Sequence, residues 1–191
     1  YDINDFEDMR HYEEYFERNY SYYKNTYQDK VTNKYIELAT IISNPSNNSL
    51  PPALINNFFE SLTILLKSYK SKDFIEVSYH FSPEIIFEHK DIFFSLPDFF
   101  DVKNLKRFLQ YYFQSENDEQ KEKCSEILQT FVKSFEKHDK HFFDTCYNND
   151  LTAEEFILFY QFTGNNIFIN EVNEINPEYA HFYYNNKIDA Q

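Results

Sequence analysis

A single glycine is the sequence feature that most constrains what this chain can fold into. Gly164 is the only glycine among 191 residues. Glycine is the default residue where the backbone takes positive φ, as in tight hairpin turns, strand bulges and phosphate-binding loops. A chain this poor in glycine is unsuited to hairpin-rich β-sandwiches, P-loops and dinucleotide-binding sites. The sequence therefore predicts an all-α protein whose helices are joined by Asn, Asp, Ser and Pro turns.

Composition and charge narrow the classes of partner. Aromatic residues make up 20% of the chain, which is ample material for a large core. The formal net charge of −14 repels nucleic-acid phosphates and anionic lipid, so neither nucleic acid nor a membrane surface is expected as a partner. The densest basic cluster is Lys103, Lys106 and Arg107, and these three positive charges are too few to reverse the negative electrostatic potential of the chain. A protein or peptide of basic character is the expected partner.

The two cysteines, Cys124 and Cys146, cannot form a disulfide framework, so we expect a reducing, cytoplasmic compartment. Cys124 lies inside a helical pattern and is predicted to be a small core residue. Cys146 is predicted to be the more exposed of the two, with Asp144 and Asp150 raising its pKa. The chain starts at Tyr1 without an initiator methionine, which indicates a fragment of a longer protein.

The N-terminal segment, residues 1–43, carries an apolar stripe with a helical period. The steps between its members are three or four residues, which predicts one long helix or a helical hairpin broken near Asp29 to Thr32. The stripe is either a face packed on the core or a seam through which the chain self-associates as a coiled-coil assembly. Its members are Phe6, Met9, Tyr12, Phe16, Tyr20, Tyr23, Tyr27, Val31, Tyr35, Leu38 and Ile42.

A polar, proline-containing linker over residues 44–52 separates this segment from a helical domain over residues 53–191. Ser82 and Pro83 have the residue types of an N-cap followed by the first helical position. The sequence predicts helices over Ala53–Tyr69, from Ser82 onward, in part of Asp91–Phe100, and over Asn104–Phe113, Gln120–His138 and Thr152–Phe162, with one or two more over Ile167–Tyr184.

Two stretches of this domain look alike 46 residues apart. Phe59, Leu62 and Leu66 fall opposite Leu105, Phe108 and Tyr112, and further on Ser78 falls opposite Cys124, and Phe81 opposite Ile127. Each stretch has an apolar helix, an acidic or polar turn, and a helix with a small residue early. The stretch from Leu105 to Ser134 resembles a unit of armadillo or HEAT-type repeats, which recur every ~40–47 residues. The resemblance covers residues 53–175 and implies a solenoid of stacked helical hairpins; an irregular helical bundle is the alternative.

The segment Asp144–Glu155 resembles an EF-hand calcium loop. Asp144, Asn148, Asp150, Thr152 and Glu155 fall at positions one, five, seven, nine and twelve, where calcium ligands are expected. Position three is Cys146, whose sulfur is a poor ligand for a hard cation, and position six is Asn149 instead of glycine. The same sequence is explained without calcium, because Thr152 and Glu155 have the spacing of a helix capping box. The calcium site is therefore kept as an alternative.

Other sequence signals for metal binding or catalysis are weak. His138 and His141 have the spacing of a zinc-binding pair, but a third ligand is missing and both are expected to be solvated. His80 and His89 flank an apolar stretch and are expected to be partly buried. No serine or cysteine lies in a setting that would activate it, so we predict no catalytic residue, no cofactor and no metal.

These features favour a non-enzymatic protein–protein interaction domain, part of a scaffold or regulatory subunit, that binds a protein or peptide. A calcium-responsive helical protein that uses residues 144–155 is the first alternative. A structural assembly formed through the N-terminal helix is the second.

Overall fold

The computed structural model describes residues 30–44, 50–68, 75–138 and 140–189. Within these ranges the structure is helical and contains no β-strand, which confirms the predicted all-α class. The stripe from Phe6 to Tyr27 and most of the 44–52 linker lie outside the described residues. The α-helices are α1 (residues 30–43), α2 (Pro52–Ser68), α3 (Pro83–Glu88), α4 (Lys90–Phe93), α5 (Val102–Gln114), α6 (Asp118–Lys137), α7 (Phe142–Asn148), α8 (Ala153–Thr163), α9 (Asn166–Ile175) and α10 (Pro177–Asp189).

Helix starts follow the local signals in the sequence. The Ser82 Oγ accepts a hydrogen bond from the Ile85 N–H, and Pro83 is the first residue of α3, as predicted. The Asn117 Oδ1 accepts from the amides of Glu119 and Gln120 and caps α6. Each cap supplies an acceptor to backbone N–H groups that have no partner within the helix.

Two compact units divide the chain, Tyr1–Arg107 and Phe108–Gln191. The boundary falls inside α5, whereas the sequence suggested segments 1–43, 44–52 and 53–191. α1 belongs to the first unit, where Val31, Tyr35 and Leu38 are buried. The described end of the apolar stripe is therefore a face packed on the core.

A continuous row of aromatic rings forms the core of the first unit. Ring centroids are 5.4 Å apart for Tyr35 and Phe58, 6.0 Å for Phe58 and Phe81, and 5.6 Å for Phe81 and Phe93. Phe99 continues the row at 5.7 Å from Phe93. The row joins α1, α2 and α4 with a 3-10 helix, Pro97–Phe99, that precedes α5. Offset and tilted ring pairs of this kind add to the stabilisation from area burial alone.

The second unit has its own apolar core. The predicted stripe of α6, which includes Cys124, Ile127 and Phe131, is buried. Phe142 of α7 packs edge-to-face on Phe159 of α8, with the ring centroids 4.7 Å apart. α9 packs along both α8 and α10, so the last three helices form one group of sequence neighbours.

The two similar stretches bury equivalent residues but build their second helices differently. Ser78 and Phe81 in one stretch and Cys124 and Ile127 in the other are all buried. α6 is a single helix of 20 residues, whereas the first stretch has a 3-10 helix, Ile75–His80, followed by α3. Pro83 explains the break, because it has no N–H for an intrahelical bond and suits a helix start.

Gly164 takes the left-handed conformation that its residue type permits. Its φ is 66°, it ends α8, and its N–H donates to the Tyr160 carbonyl at 2.7 Å. A Cβ placed on Gly164 meets no atom within 4 Å, so a side chain there has space. We expect Gly164→Ala to lower the free energy of unfolding by about 1 kcal/mol, because the backbone conformation alone is disfavoured. Gly164→Asn is the control, and its free energy of unfolding should fall less, since asparagine tolerates this conformation. Equal decreases for the two variants in urea denaturation would contradict the explanation.

Candidate functional site

The residues of the EF-hand-like segment do not form an open loop around one point. Asp144 and Asn148 lie four residues apart within the closed turns of α7, so the first half of the segment is helix and not an open loop. Asn149, at the position where EF-hands have glycine, has a φ of −111°. Asp150 has the positive φ instead, at 54°. This is the geometry of a short helix followed by a turn.

The second half of the same segment forms the predicted capping box. The Glu155 N–H donates to the Thr152 Oγ1 at 3.2 Å, and the Thr152 N–H donates to the Glu155 Oε1 at 2.9 Å. Both side chains are thereby used to begin α8. The capping-box prediction is confirmed, and the Glu155 carboxylate is held at the helix terminus.

Metal-ligating side chains do not converge within the part of the chain that the structure describes. No group of three or more His, Cys, Asp or Glu residues there could hold a metal ion. His138 ends α6 and His141 precedes α7, and both are exposed. Their predicted solvation is confirmed.

The cysteines are both free and buried. This confirms the prediction for Cys124 and shows that the predicted exposure of Cys146 is wrong, because Cys146 is 0% exposed. The spacing of four residues places Cys146 on the same side of α7 as the buried Phe142. Burial raises the pKa of the Cys146 thiol well above its ordinary value, and the Glu155 carboxylate raises it further. Such a thiol is a packing group and a poor nucleophile.

His89 is half-buried, as predicted, and His80 is more exposed, although burial still lowers the pKa of His80 below its ordinary value. The His89 imidazole stacks on the Phe59 ring with centroids 3.6 Å apart and an angle of 14° between the planes. Desolvation lowers the pKa of His89 below its ordinary value of 6.5, and the nearby Glu88 only partly opposes this. The folded state therefore favours the neutral imidazole.

We expect acidification to destabilise the protein partly through His89. Its pKa is lower in the folded state, so its stabilising effect is complete above pH 6.5 and is lost as the pH falls below that value. His89→Phe keeps an apolar ring against Phe59 but does not titrate. Urea denaturation between pH 7.5 and 5.5 should show a smaller loss of stability for this variant than for the wild type. His138→Gln is the control on an exposed histidine, and an identical pH dependence for wild type and His89→Phe would contradict the assignment.

The small basic cluster is partly used inside the first unit. The Arg107 guanidinium donates to the carbonyls of Ser78 at 3.0 Å and Phe81 at 2.8 Å, and to the Asn104 Oδ1 at 2.9 Å. Asn104 is fully buried and donates through Nδ2 to the Ser78 Oγ and the Phe99 carbonyl. We call Ser78, Asn104 and Arg107 the α5 polar network. It joins the start of α5 to the 3-10 helix Ile75–His80.

A second polar contact borders this network. The Tyr79 hydroxyl donates to the Asp101 carboxylate, and the Asp101 Oδ1 also accepts from the Asn104 N–H. Burial, followed by the contact with Asp101, raises the pKa of Tyr79 above its ordinary value. The Lys103 ammonium lies 4.4 Å from the centre of the Tyr79 ring. These groups bond to one another, which favours a structural role over a catalytic one.

The second unit exposes apolar side chains on its last two helices. Phe182 is 60% exposed, and Ile175 and Tyr184 are 47% and 40% exposed. Glu178 lies one turn before Phe182 in α10 and is also exposed. We call the exposed side of α10 that carries Glu178 and Phe182 the α10 surface; Tyr184, two residues after Phe182, lies on another side of the helix. The sequence predicted helix here but gave no reason to single these residues out, because exposure depends on which face of α10 packs on α9.

A groove lies where the end of α8 meets α10. Tyr160, Gln161, Gly164, Tyr183 and Asn186 line a volume of about 540 Å³, and we call this groove the tyrosine cleft. The rings of Tyr160 and Tyr183 are nearly perpendicular, at 83°, with centroids 6.5 Å apart. Sequence reasoning missed this pair, since the two tyrosines are far apart in the chain and helical periodicity does not reveal their contact.

A second groove of about 340 Å³ lies beside α7. Phe143 and Phe168 form apolar parts of its wall, whereas Glu136, His141 and Asp144 make another part polar. Lys140 also lines the groove, so carboxylates, a histidine and an ammonium group occur together there, and the groove favours neither a cation nor an anion.

Comparisons with known proteins give no relative from which a function could be transferred. No family model, curated protein sequence or solved structure is significantly similar to this chain. Among the helices that the structure describes, none is long and apolar enough to cross a membrane.

Proposed function

We propose that this chain is a non-enzymatic protein–protein interaction domain, part of a scaffold or regulatory subunit, that binds a protein or peptide of basic character. The observation that carries the proposal is the α10 surface, where the exposed Phe182 ring follows the exposed Glu178 carboxylate by one helical turn. Aromatic residues are enriched at protein interfaces and supply most of the binding energy there. The net charge of −14 adds a long-range attraction for basic partners.

The titratable groups with shifted pKa values support a role other than catalysis. His89 stacks in the core of the first unit, Cys146 is buried, and Tyr79 is bonded to Asp101. Burial is the largest cause of each of these three shifts, and it also lowers the pKa of His80, the residue after Tyr79. An acid–base pair would need two such groups in one cleft with a substrate.

The proposal includes a helical-repeat architecture over residues 53–175 and a cytoplasmic location. The packing of α9 along both α8 and α10 supports the architecture, because consecutive helices stack in this way in armadillo and HEAT-type repeats. The two free cysteines support a reducing compartment.

A random peptide library, selected on the immobilised full chain, tests the proposed function. We expect enrichment of one family of basic peptides whose dissociation constant rises with salt concentration, because part of the attraction is electrostatic. Phe182→Ser should weaken binding of the enriched peptides at least tenfold if Phe182 is an anchor of the interface.

Tyr147→Ser is the matched control, since Tyr147 is 55% exposed but lies on α7. The proposal is overturned if no peptide family is enriched, or if the enriched peptides are acidic.

A further inference from the structure

Both signs of charge occur at the groove beside α7, which we call the α7 groove. Glu136, in the last turn of α6, and Asp144, in α7, supply carboxylates, and Lys140, between these two helices, supplies an ammonium group. All three side chains are exposed. Among the described residues none of the three forms an ion pair, so these charges are available to a ligand.

Hydrogen-bond donors for a carboxylate also line the α7 groove. The Lys140 Nζ lies 5.7 Å from the centre of the Phe135 ring, and it has no carboxylate partner within the described ranges. The Asn165 Oδ1 accepts from the Ile167 N–H at 3.0 Å and caps α9, which leaves the Nδ2 group of Asn165 as a donor. An ammonium group and an amide N–H together suit a carboxylate, because the charge of the carboxylate strengthens both hydrogen bonds.

Apolar surface lies in the same groove. Ile167 is 41% exposed and Phe143 is half-buried, so both present apolar atoms to solvent. The Phe143 ring packs edge-to-face on the buried Phe168 ring, with the centroids 5.6 Å apart, and this contact holds the wall in place. The volume of about 340 Å³ is at the small end of the range for ligand sites, so it suits a small molecule with one apolar side chain.

The mixed charges favour a ligand that carries both signs itself. A purely cationic or anionic ligand is attracted by one kind of group at the α7 groove and repelled by the other. A zwitterion places a carboxylate and an ammonium group close together, and each can lie against a group of opposite charge. An α-amino acid joins these two groups to a side chain through one carbon atom.

We infer that the α7 groove binds a free α-amino acid with an apolar side chain. The side chain packs against Phe143 and Ile167, the carboxylate accepts from Lys140 and Asn165, and the ammonium group donates to Asp144. The inference goes beyond the proposed function and does not depend on it, because the α7 groove and the α10 surface share no residue.

L-Phenylalanine, titrated into the full chain with ¹³C-labelled isoleucine methyl groups, tests the inference by NMR. We expect a saturable shift of the Ile167 methyl signal and no shift for Ile175, which is exposed on the same helix but does not line the groove. Glycine lacks the apolar side chain and N-acetyl-phenylalanine amide lacks both charges, so each should bind at least about tenfold more weakly. An unmoved Ile167 signal, or equal binding of phenylalanine and the capped amide, would overturn the inference.

Two further probes distinguish a site for a zwitterion from a site for one charge. N-acetyl-phenylalanine keeps only the carboxylate, and phenylalanine amide keeps only the ammonium group. Each should bind more weakly than phenylalanine and more tightly than the doubly capped amide. If either binds as tightly as phenylalanine, the groove selects a single charge and the inference is wrong.

Variants without one charge show which side chains act. Lys140→Gln and Asp144→Asn should each weaken phenylalanine binding about three- to fivefold, because each removes one charge contact, and should leave binding of the capped amide unchanged. Lys137→Gln and Glu154→Gln are the matched controls, since both side chains are exposed but do not line the groove. If each groove variant has the same effect as its control, the probe responds to the overall charge of the chain and the assignment is wrong.

Discussion

Phe81→Ala is expected to lower the free energy of unfolding by about 4 kcal/mol, the largest effect that we predict for a single substitution. Phe81 is 0% exposed, and its ring packs against Phe58, Phe59 and Phe93 with centroid distances of 6.0, 5.4 and 5.6 Å. Removal of the ring loses the free energy gained by burying it, and it leaves a cavity that the rigid aromatic neighbours fill poorly. A domain is stable by about 5–15 kcal/mol in total, so the variant should be close to unfolding at physiological temperature.

Urea denaturation followed by circular dichroism measures this loss, since the chain has no tryptophan for fluorescence. Phe182→Ala is the matched control, because it removes the same ring from a site that is 60% exposed. The free energy of unfolding of this control should fall by less than about 1 kcal/mol. Similar losses for the two variants would contradict the packing described for the first unit.

Asn104→Ala is expected to lower the free energy of unfolding by about 3 kcal/mol, because it removes the side chain that bonds to both other members of the α5 polar network. The Asn104 side chain makes three hydrogen bonds, to the Ser78 Oγ, the Phe99 carbonyl and the Arg107 guanidinium. Alanine replaces none of them, and it leaves buried polar groups without this partner. A buried polar group that loses its partner costs about 1–3 kcal/mol.

Gln110→Ala is the control on the same helix, since Gln110 is exposed and should change stability by less than about 0.5 kcal/mol. A double-mutant cycle with Arg107→Met isolates the coupling between the two side chains of the network. Additive losses from Asn104→Ala and Arg107→Met would show that the two residues act independently, contrary to the structure.

Local rules account for the part of the fold that the sequence predicted correctly. The caps at Ser82 and Thr152 depend on neighbours within three residues, and the buried stripe of α6 depends on a period that holds along one helix. Such signals can be read from residues that are close to one another in the sequence. The helical class followed in the same way from the scarcity of glycine.

Tertiary packing decided what the sequence could not reveal. Cys146 stands among polar residues, and its burial depends on which side of α7 meets the core of the second unit. Asn104 is polar but fully buried, because partners 26 and 5 positions away satisfy its amide. The tyrosine cleft likewise requires Tyr160 and Tyr183 to be brought together by α9. In each case the decisive neighbour lies on another element.

The short connections among the last three helices have a consequence for the order in which the chain gains structure. Gly164 and Asn165 alone separate α8 from α9, whereas the bond from Arg107 to the Ser78 carbonyl spans 29 positions. Loop-closure entropy grows with the length of the loop, so neighbouring helices can associate early at little entropic loss. We therefore expect the hydrogen bonds of Arg107, which need a segment 29 positions away, to form after the contacts among the last three helices.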